Sequence, residues 1–185
     1  KKFTNEDQLV KKITDYLLKD KIVALYNGRS EFGERALGRR SIISMANKSE
    51  SKNLINSKIK YREDYRPFAP ICLQKNASKY FEVDDDYQCQ SMEKVVKVRE
   101  KYIENLQAIC HFDNSATLQT LDNKSNMLIA KVLNYLETID IIPVLINTSF
   151  NLNGEPNIEN VDDAIRTFYT SGLDHLILEN IILSK

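Results

Sequence analysis

The sequence of 185 residues has no tryptophan, five glycines, four prolines and three cysteines, and its positive and negative charges cancel. So few glycines and prolines exclude a collagen-like or low-complexity chain. No apolar run approaches the roughly 20 residues that a membrane-spanning helix needs, and the opening KKFTNEDQ has no apolar signal-peptide core. The cysteines are widely spaced without a C-x-x-C pair, so the sequence predicts neither disulfides nor a zinc site, and it favours a cytoplasmic protein.

The rest of the composition is that of a single globular domain. Apolar residues make up 42% of the chain and charged residues 28%. A chain of this length buries roughly 70% of its unfolded surface, which is enough for one ordinary core. We therefore interpret residues 1–185 as one domain. Because the sequence does not begin with methionine, we expect it to be a fragment of a longer protein.

Charge is unevenly distributed along the chain. Residues 21–66 carry eleven lysines and arginines against five acids, whereas residues 140–179 carry seven acids and one base. A local electrostatic field survives a zero total charge, so the basic third could attract an anionic ligand or partner. Two solvated faces that offset each other would produce the same pattern, and charge alone does not separate these interpretations.

Hydrophobic periodicity predicts a mixture of helices and strands. Apolar spacing and capping residues predict helices over 4–20, 49–59, 77–81, 125–138 and 160–169. Strands are predicted over 22–26, 41–45, 69–73, 95–98 and 117–121, before NTSFN, and in the closing HLILENIILSK. Pro67 and Pro70 predict that the segment before the third strand runs extended. This order indicates one α/β domain with a twisted sheet, a fold that binds ligands at the carboxyl ends of its strands.

The first candidate site is the loop NGRSEFGERALGRRS, which directly follows the strand over 22–26. Its three glycines permit tight turns and close approach of a ligand, and arginine side chains are planar forks suited to phosphate. The loop therefore predicts an anion site. Alternatively, these arginines pair with Glu31 and Glu34 or lie in water. The arginines concerned are Arg29, Arg35, Arg39 and Arg40.

The second candidate site is the segment IKYREDYRPF. It places Lys60, Arg62 and Arg66 at even spacing. In an extended backbone a period of two puts these cations on one side, which is unfavourable unless an anion meets them. A phosphate-bearing ligand would satisfy this arrangement. A surface for nucleic acid or an acidic partner, or simple exposure to solvent, are the alternatives.

Two further motifs supply neutral and titratable groups. NTSFN, residues 147–151, offers amides and hydroxyls for phosphate oxygens, ribose hydroxyls or a carbamide-like group, although the same residues form ordinary turns. In HFDNSATLQT, His111 and Asp113 would share one face of a strand, so the carboxylate could orient the imidazole. A purely structural histidine is the alternative. Only His175 offers a second imidazole, so we predict no protein-built transition-metal site.

In this order the four motifs resemble the C-terminal domain of the O-carbamoyltransferases that modify nodulation factors and antibiotics. That family has approximately GRxEFGPRALGNRSI, LNxxIKxREx(F/Y)RPFAP, HVDGTARxQT and PVLxNTSFNxxGEP, and the resemblance runs from about residue 22 to the C-terminus. The sequence departs from the family pattern at Glu34, Arg39, Asn114 and Thr117, where the family has proline, asparagine, glycine and arginine.

The resemblance implies a YrdC-like α/β fold, a twisted mixed sheet with flanking helices. It also implies binding of ATP with Mg²⁺ and of carbamoyl phosphate, and formation of carbamoyl adenylate with release of phosphate and pyrophosphate. A separate N-terminal domain of the same protein would transfer the carbamoyl group to an acceptor hydroxyl. The YrdC-type pattern of K-x-R with S-x-N is matched by Lys60, Arg62, Ser149 and Asn151. Neither a membrane nor a nucleic acid is an expected partner.

The motifs and the resemblance together define a set of predicted site residues. The predicted catalytic residues are Lys60, Arg62, Arg66 and Arg35. The predicted ligand-binding residues are Arg29, Glu31, Arg40, His111, Asn147, Ser149 and Asn151. Two other functions stay open at this point. One is a nucleotide-binding or interaction module without turnover, and the other is an RNA-associated YrdC-like domain whose binding would weaken steeply with salt.

Overall fold

A seven-stranded mixed sheet lies at the centre of the protein. The computed structural model describes residues 1–63 and 65–185, so Asp64, in the segment predicted to run extended, lies outside the described residues. The strands in chain order are β1 (Val23–Tyr26), β2 (Arg40–Met45), β3 (Ala69–Leu73), β4 (Val95–Lys97), β5 (Ser115–Thr117), β6 (Gln119–Leu121), β7 (Leu145–Ser149), β8 (His175–Leu178) and β9 (Ile181–Ser184).

The strand order places β7 beside the middle of the large sheet. The order is β6-β3-β7-β2-β1-β8-β9, with β1–β8 and β3–β6 parallel and the other neighbours antiparallel. β4 and β5 form a separate antiparallel pair. In β7, Asn147 pairs with Ile43 of β2 on one side and with Ala69 of β3 on the other. Asn147 therefore sits between two neighbouring strands near the carboxyl end of β7.

Helices cover both faces of the sheet. They are α1 (Glu6–Leu18), α2 (Ser49–Ile55), α3 (Gln74–Tyr80), α4 (Leu128–Thr138) and α5 (Val161–Thr170). On one face α1 and α4 pack against alternate strand residues such as Val23 and Ile43, and on the other α2, α3 and α5 pack against residues such as Ala24 and Ile42. Successive residues of a strand point to opposite faces, which is why nearly continuous apolar strands produce two separate cores.

The sequence predicted most elements but misplaced several of their ends. Asn160 caps α5 as expected, accepting a hydrogen bond from the Asp163 amide at 2.9 Å. Asn5 rather than Thr4 caps α1, since its side chain accepts from the Gln8 amide. The strand predicted over 117–121 is two strands in different sheets, β5 and β6. Buried Leu118 lies between them, where the chain passes from the small sheet to the large one.

The prediction of an extended segment from Lys60 to Arg66 was wrong. Helix α2 continues into a π-helical turn, Asn56–Lys60, and Tyr61 ends that turn with a left-handed φ of 47°. Because the backbone turns at this point, even spacing does not place Lys60, Arg62 and Arg66 on one side. Lys60 points into the interior, whereas Arg66 forms an exposed ion pair with Glu63 at 3.5 Å.

Gly172 packs directly against this π-helical turn. Its amide donates to the carbonyl oxygen of Lys58 at 3.1 Å, and a Cβ on Gly172 would lie 2.5 Å from Lys58 Cβ. We therefore expect Gly172→Ala to lower the free energy of unfolding by about 1 to 3 kcal/mol through overpacking. Urea unfolding measures this. In a Lys58→Gly background the cost should shrink, and an equal cost in both backgrounds would show that the two residues are not coupled.

Candidate active site

A cavity of about 190 Å³ opens beside the carboxyl end of β7. β7 contributes residues 147–149, the β5 end contributes Thr117, and the start of β3 contributes Ala69. The loop between β1 and β2 and the segment between α2 and β3 close the other sides. The remaining lining residues are Glu34, Arg35, Ala36, Arg62, Pro67, Phe68, Met92 and His111. The cavity thus collects residues from all four sequence motifs.

Buried Asn147 ties the arginine-rich loop to the sheet. Its Nδ2 donates to the carbonyl oxygen of Ala36 at 3.0 Å and to Gln119 Oε1 at 2.7 Å. Gln119 Nε2 in turn donates to the carbonyl oxygen of Leu37 at 3.0 Å. Asn147 Oδ1 is buried without a partner among the described residues. A buried unpaired amide oxygen is costly, so this atom is a candidate acceptor for a donor group on a ligand.

Lys60 lies behind the cavity wall and is fully buried. Its Nζ donates to the carbonyl oxygens of Ser149 and Asn151 at 2.7 and 2.9 Å, and to Asn151 Oδ1 at 2.6 Å. Ser149 Oγ lies 3.2 Å from Nζ and donates to Asn151 Oδ1 at 2.7 Å. The structure therefore brings together the K-x-R lysine and both residues of the S-x-N pair. Lys60 does not line the cavity, but it contacts Ser149, which does. Its positive charge therefore acts on the cavity from behind Ser149.

Burial makes the charge of Lys60 sensitive to pH. Burial, and after it the positive charge of Arg62, lowers the pKa of Lys60 from 10.5 to about 7. The surrounding oxygens act in the opposite direction, since they accept hydrogen bonds from the charged form. An anion in the cavity would also favour the charged form, so ligand binding and protonation of Lys60 are coupled.

Two arginines from different segments line the cavity. Arg62 is half-buried, and its guanidinium carbon lies 5.8 Å from the centre of the Phe68 ring. Burial and the charge of Arg66 lower the pKa of Arg62, while Glu63 raises it. Arg35 is more exposed and lies 4.0 Å from Glu34, a separation that contributes little to stability. Both guanidinium groups are therefore available to an anion in the cavity.

His111 borders the cavity from the turn before β5, not from within a strand as predicted. Its Nδ1 lies 3.2 Å from Ser115 Oγ, and its Nε2 lies 3.5 Å from Thr117 Oγ1. Asp113 does not contact the imidazole directly, because it accepts hydrogen bonds from Ser115 and Lys97 instead. The carboxylate thus acts on His111 through the Ser115 hydroxyl.

Comparison of the chain with models of known protein families shows which family it belongs to. The model of the carbamoyltransferase C-terminus family matches residues 14–185. The chain belongs to this family. Nodulation protein NolO of Bradyrhizobium diazoefficiens is 42% identical over 180 residues, which are 97% of this chain and 33% of that protein. The 3'-hydroxymethylcephem-O-carbamoyltransferase of Streptomyces clavuligerus is 36% identical over 83% of this chain and 29% of that enzyme. The chain spans about a third of the length of these relatives.

Solved structures confirm the predicted YrdC-like fold of this carbamoyltransferase C-terminal domain. Full-length HypF in its phosphate- and nucleotide-bound form covers 92% of this chain with a TM-score of 0.64 and 18% identity, over 25% of that chain. T. kodakarensis HypF covers 86% of this chain with a TM-score of 0.59 and 16% identity, over 19% of that chain. At such low identity the likeness concerns the fold, a mixed sheet with flanking helices.

Other family motif residues, in the loop before β2 and at the start of β2, hold the loop backbone and do not line the cavity. Buried Arg40 donates from Nη2 to the carbonyl oxygen of Gly28 at 2.9 Å and stacks on the Tyr26 ring at 3.5 Å. Glu31 Oε1 accepts hydrogen bonds from the amides of Leu37 and Arg39, both at 2.7 Å. The structure thus does not bring Arg40, Glu31 or exposed Arg29 into the cavity, and their predicted contact with a ligand stays a prediction.

The four residues that differ from the family pattern lie in different structural environments. Asn114 adopts a left-handed φ of 62°, which asparagine tolerates better than most residues, so it substitutes for the family glycine. Arg39 is half-buried and packs over Gly28, with Nη1 2.5 Å from where a Gly28 Cβ would be. Thr117 and Glu34 line the cavity, so these two departures change the site itself.

Sequence reasoning missed Gln119 and Ser115 as site residues. Gln119 holds Asn147 and the loop at Leu37, and Ser115 connects Asp113 with His111. Both lie within the motif HFDNSATLQT, which was the only feature of the sequence that pointed to them.

Within residues 1–63 and 65–185, we find no group of three His, Cys, Asp or Glu side chains that could hold a metal ion. The described helices include none long and apolar enough to cross a membrane.

Proposed function

We propose that this carbamoyltransferase C-terminal domain binds ATP and carbamoyl phosphate and forms carbamoyl adenylate, which another part of the protein uses to carbamoylate a hydroxyl group. The observation that carries the proposal is a single cavity whose wall combines Arg35 and Arg62 with His111, Asn147 and Ser149. Family membership supports a role in carbamoyl transfer. The fold likeness to HypF, solved with phosphate and nucleotide, supports a nucleotide ligand.

The electrostatics of the cavity match these substrates. ATP and carbamoyl phosphate together bring about six negative charges, and transfer at the α-phosphorus develops further charge on oxygen. Arg35 and Arg62 face this charge directly, and buried Lys60 adds a third cation behind Ser149. Asn147 and Ser149 add neutral donors and acceptors that can orient a carbamoyl group. Preorganised donors of this kind contribute most to stabilising a developing anion.

The proposed reaction has two balanced steps. Water first cleaves carbamoyl phosphate to carbamate and phosphate. A carbamate oxygen then forms a bond to the α-phosphorus of ATP while the bond from that phosphorus to the bridging oxygen breaks. Pyrophosphate leaves with that oxygen and its electron pair, and carbamoyl adenylate remains.

The cavity volume indicates which part of the substrates it holds. At about 190 Å³ it is smaller than the roughly 300 to 1,000 Å³ of typical ligand pockets. It therefore suits the phosphate and carbamoyl groups, with the nucleoside outside its mouth. Glu34 is the only carboxylate among the described lining residues, which fits Mg²⁺ carried by the nucleotide rather than held by a protein cage. Bound Mg²⁺ would add neutralising charge at the phosphates.

The relatives are about three times as long as this chain, which supports a further domain for the transfer step. We propose that this domain lies N-terminal in the same protein, since the matching family describes a C-terminus. The acceptor hydroxyl would bind there. A cytoplasmic location remains a prediction from cysteine usage.

Exchange of labelled pyrophosphate into ATP tests the proposal. We expect the purified chain to catalyse this exchange only when carbamoyl phosphate or another source of carbamate is present, because carbamoyl adenylate must form before adenylation can reverse. Titration calorimetry should show binding of both ligands. Binding without exchange, even after adding the rest of the protein, would instead indicate an interaction module. Salt-dependent RNA binding with neither ligand bound would indicate the nucleic-acid function.

A further inference from the structure

A chain of hydrogen bonds connects the protein surface to His111. Ser115 Oγ lies 2.6 Å from Asp113 Oδ1 and 3.2 Å from His111 Nδ1. Lys97 Nζ donates to Asp113 Oδ2 at 2.8 Å. The hydrogen bonds from Lys97 and Ser115 hold the pKa of Asp113 well below its usual range, so this carboxylate is an anion that only accepts hydrogen bonds.

This chain determines which nitrogen of His111 carries the proton. A hydroxyl has a single proton, and the short contact shows that Ser115 donates it to Asp113. Toward His111, Ser115 Oγ can then only accept, so Nδ1 of the imidazole must be the donor. The neutral imidazole therefore has an unprotonated Nε2. That nitrogen lies 3.5 Å from Thr117 Oγ1, a contact long enough to leave its lone pair weakly engaged, and both residues line the cavity.

Only one step of the proposed reaction needs a base. Carbamate is already an anion when it attacks ATP, so adenylation requires no proton to be removed from the nucleophile. Cleavage of carbamoyl phosphate does require one, because water must lose a proton as it attacks. Of the described lining residues, His111 and Glu34 could accept it. The side chain of Glu34 is 90% exposed, whereas hydrogen bonds hold the His111 ring in place, so His111 is the better positioned candidate.

We propose that His111 Nε2 is the general base that activates water for cleavage of carbamoyl phosphate, and that Ser115 and Asp113 position it in the required tautomer. This inference rests on the proposed function. The water oxygen bonds to the carbonyl carbon, its proton passes to Nε2, and the bond from that carbon to the bridging oxygen breaks. Phosphate leaves with the electron pair and takes the proton from Nε2. The second water proton is released to solvent, and carbamate remains.

The tautomer can be measured without any substrate. Nitrogen-15 NMR of the chain, at a pH where the imidazoles are neutral, should show His111 protonated on Nδ1. The sequence has only two histidines, so His175 serves as the internal reference. Ser115→Ala should shift His111 toward the Nε2-protonated form, and Ser115→Thr should restore the original form. A wild-type His111 protonated on Nε2 would overturn the inference.

Two sources of carbamate separate the role of His111 from the proposed function. With carbamoyl phosphate, His111→Ala should lower pyrophosphate exchange about 10² to 10⁴-fold, the usual contribution of a general base. With ammonium bicarbonate, which supplies carbamate without cleavage of carbamoyl phosphate, the same variant should lose far less exchange, because no water has to be activated. Glu34→Gln, which changes the other candidate base, should not show a loss confined to carbamoyl phosphate.

Every other outcome of these experiments would contradict one part of the proposal. If His111→Ala keeps exchange with carbamoyl phosphate, or loses it with both sources, His111 is not the base for cleavage. If Glu34→Gln alone shows the selective loss, Glu34 is the base. If wild type exchanges with neither source, the proposed function fails and the inference fails with it.

Ser115→Ala should lower only the reaction with carbamoyl phosphate, and Ser115→Thr should recover it, whereas a merely structural role would affect both sources.

Discussion

Arg62→Ala is expected to lower pyrophosphate exchange about 10² to 10³-fold, the usual effect of losing one donor to a developing oxyanion. Arg62 lines the cavity, is half-buried, and faces the phosphates in the proposed complex. Initial rates of exchange at saturating ATP and carbamoyl phosphate measure the effect. Because the guanidinium contacts charge that grows in the transition state, we expect the loss mainly in kcat and less in KM.

Arg66→Ala is the matched control for this prediction. Arg66 lies four positions further along the same segment and was predicted from sequence to share the site. In the structure it pairs with Glu63 at 3.5 Å and is not among the described lining residues. Its loss should therefore change exchange only slightly. Equal losses in both variants would show that Arg66 also reaches the ligand, as the sequence alone suggested.

Lys60→Met is expected to lower the free energy of unfolding by about 3 kcal/mol or more at about pH 9. Methionine fills a similar volume but donates no hydrogen bond. At this pH the neutral amine has two N–H donors, so its loss leaves two acceptors without a partner, and the carbonyl oxygens of Ser149 and Asn151 are the ones that have no other side-chain donor among the described residues. A buried acceptor left unpaired costs about 1 to 3 kcal/mol. Urea unfolding followed by circular dichroism measures the difference.

The pH dependence of this difference has a definite sign. In the folded chain the pKa of Lys60 is lowered to about 7 from 10.5, so between these values the unfolded state binds more protons. The free energy of unfolding of wild type should then rise with pH across this window, and this contribution should be missing in Lys60→Met. The deficit of the variant therefore grows from about pH 6 to about pH 9. A deficit that stays constant from about pH 6 to about pH 9 would show that Lys60 stays charged in the folded chain.

The affinity for nucleotide should fall as the pH rises, whereas the free energy of unfolding should rise. Above about pH 7 a fraction of the folded chains has a neutral Lys60, so an anionic ligand must draw a proton onto it. Titration calorimetry in buffers of different ionisation enthalpy should detect this proton uptake in wild type. Lys60→Met should show less uptake. Equal uptake in the two proteins would mean that the cavity does not sense the charge of Lys60.

Local sequence patterns predicted the elements that depend on near neighbours. Helix α5 was predicted from Asn160 and the apolar spacing that follows it, since a cap and an amphipathic face are both local properties. The strand Ala69–Leu73 was also predicted, because Pro70 and the apolar run after it favour an extended backbone. Predicted helix starts were less accurate. The helix expected from Ser125 begins at Leu128, where the side chains first enter the core.

The site required both the motifs and the fold. The order of the four motifs was sufficient to predict the family, the mixed α/β fold and which segments meet. It was not sufficient to assign individual side chains. Arg40 and Glu31 match the family pattern as well as Arg35 does, yet they hold the loop backbone while Arg35 borders the cavity. A match to a family motif does not show whether a side chain contacts a ligand or another part of the chain.

The sequence by itself determined that this is an α/β chain with a basic first third and four motifs of the carbamoyltransferase family. Only the tertiary structure decided that Lys60 lies buried against residues 149 and 151, that Arg62 lines the cavity and that Arg66 lies outside it. Even spacing has a meaning only for a regular backbone, and the π-helical turn ending at Tyr61 breaks that regularity. The partners of Lys60 are about ninety positions away in the chain, so their contact depends on the packing of the whole sheet.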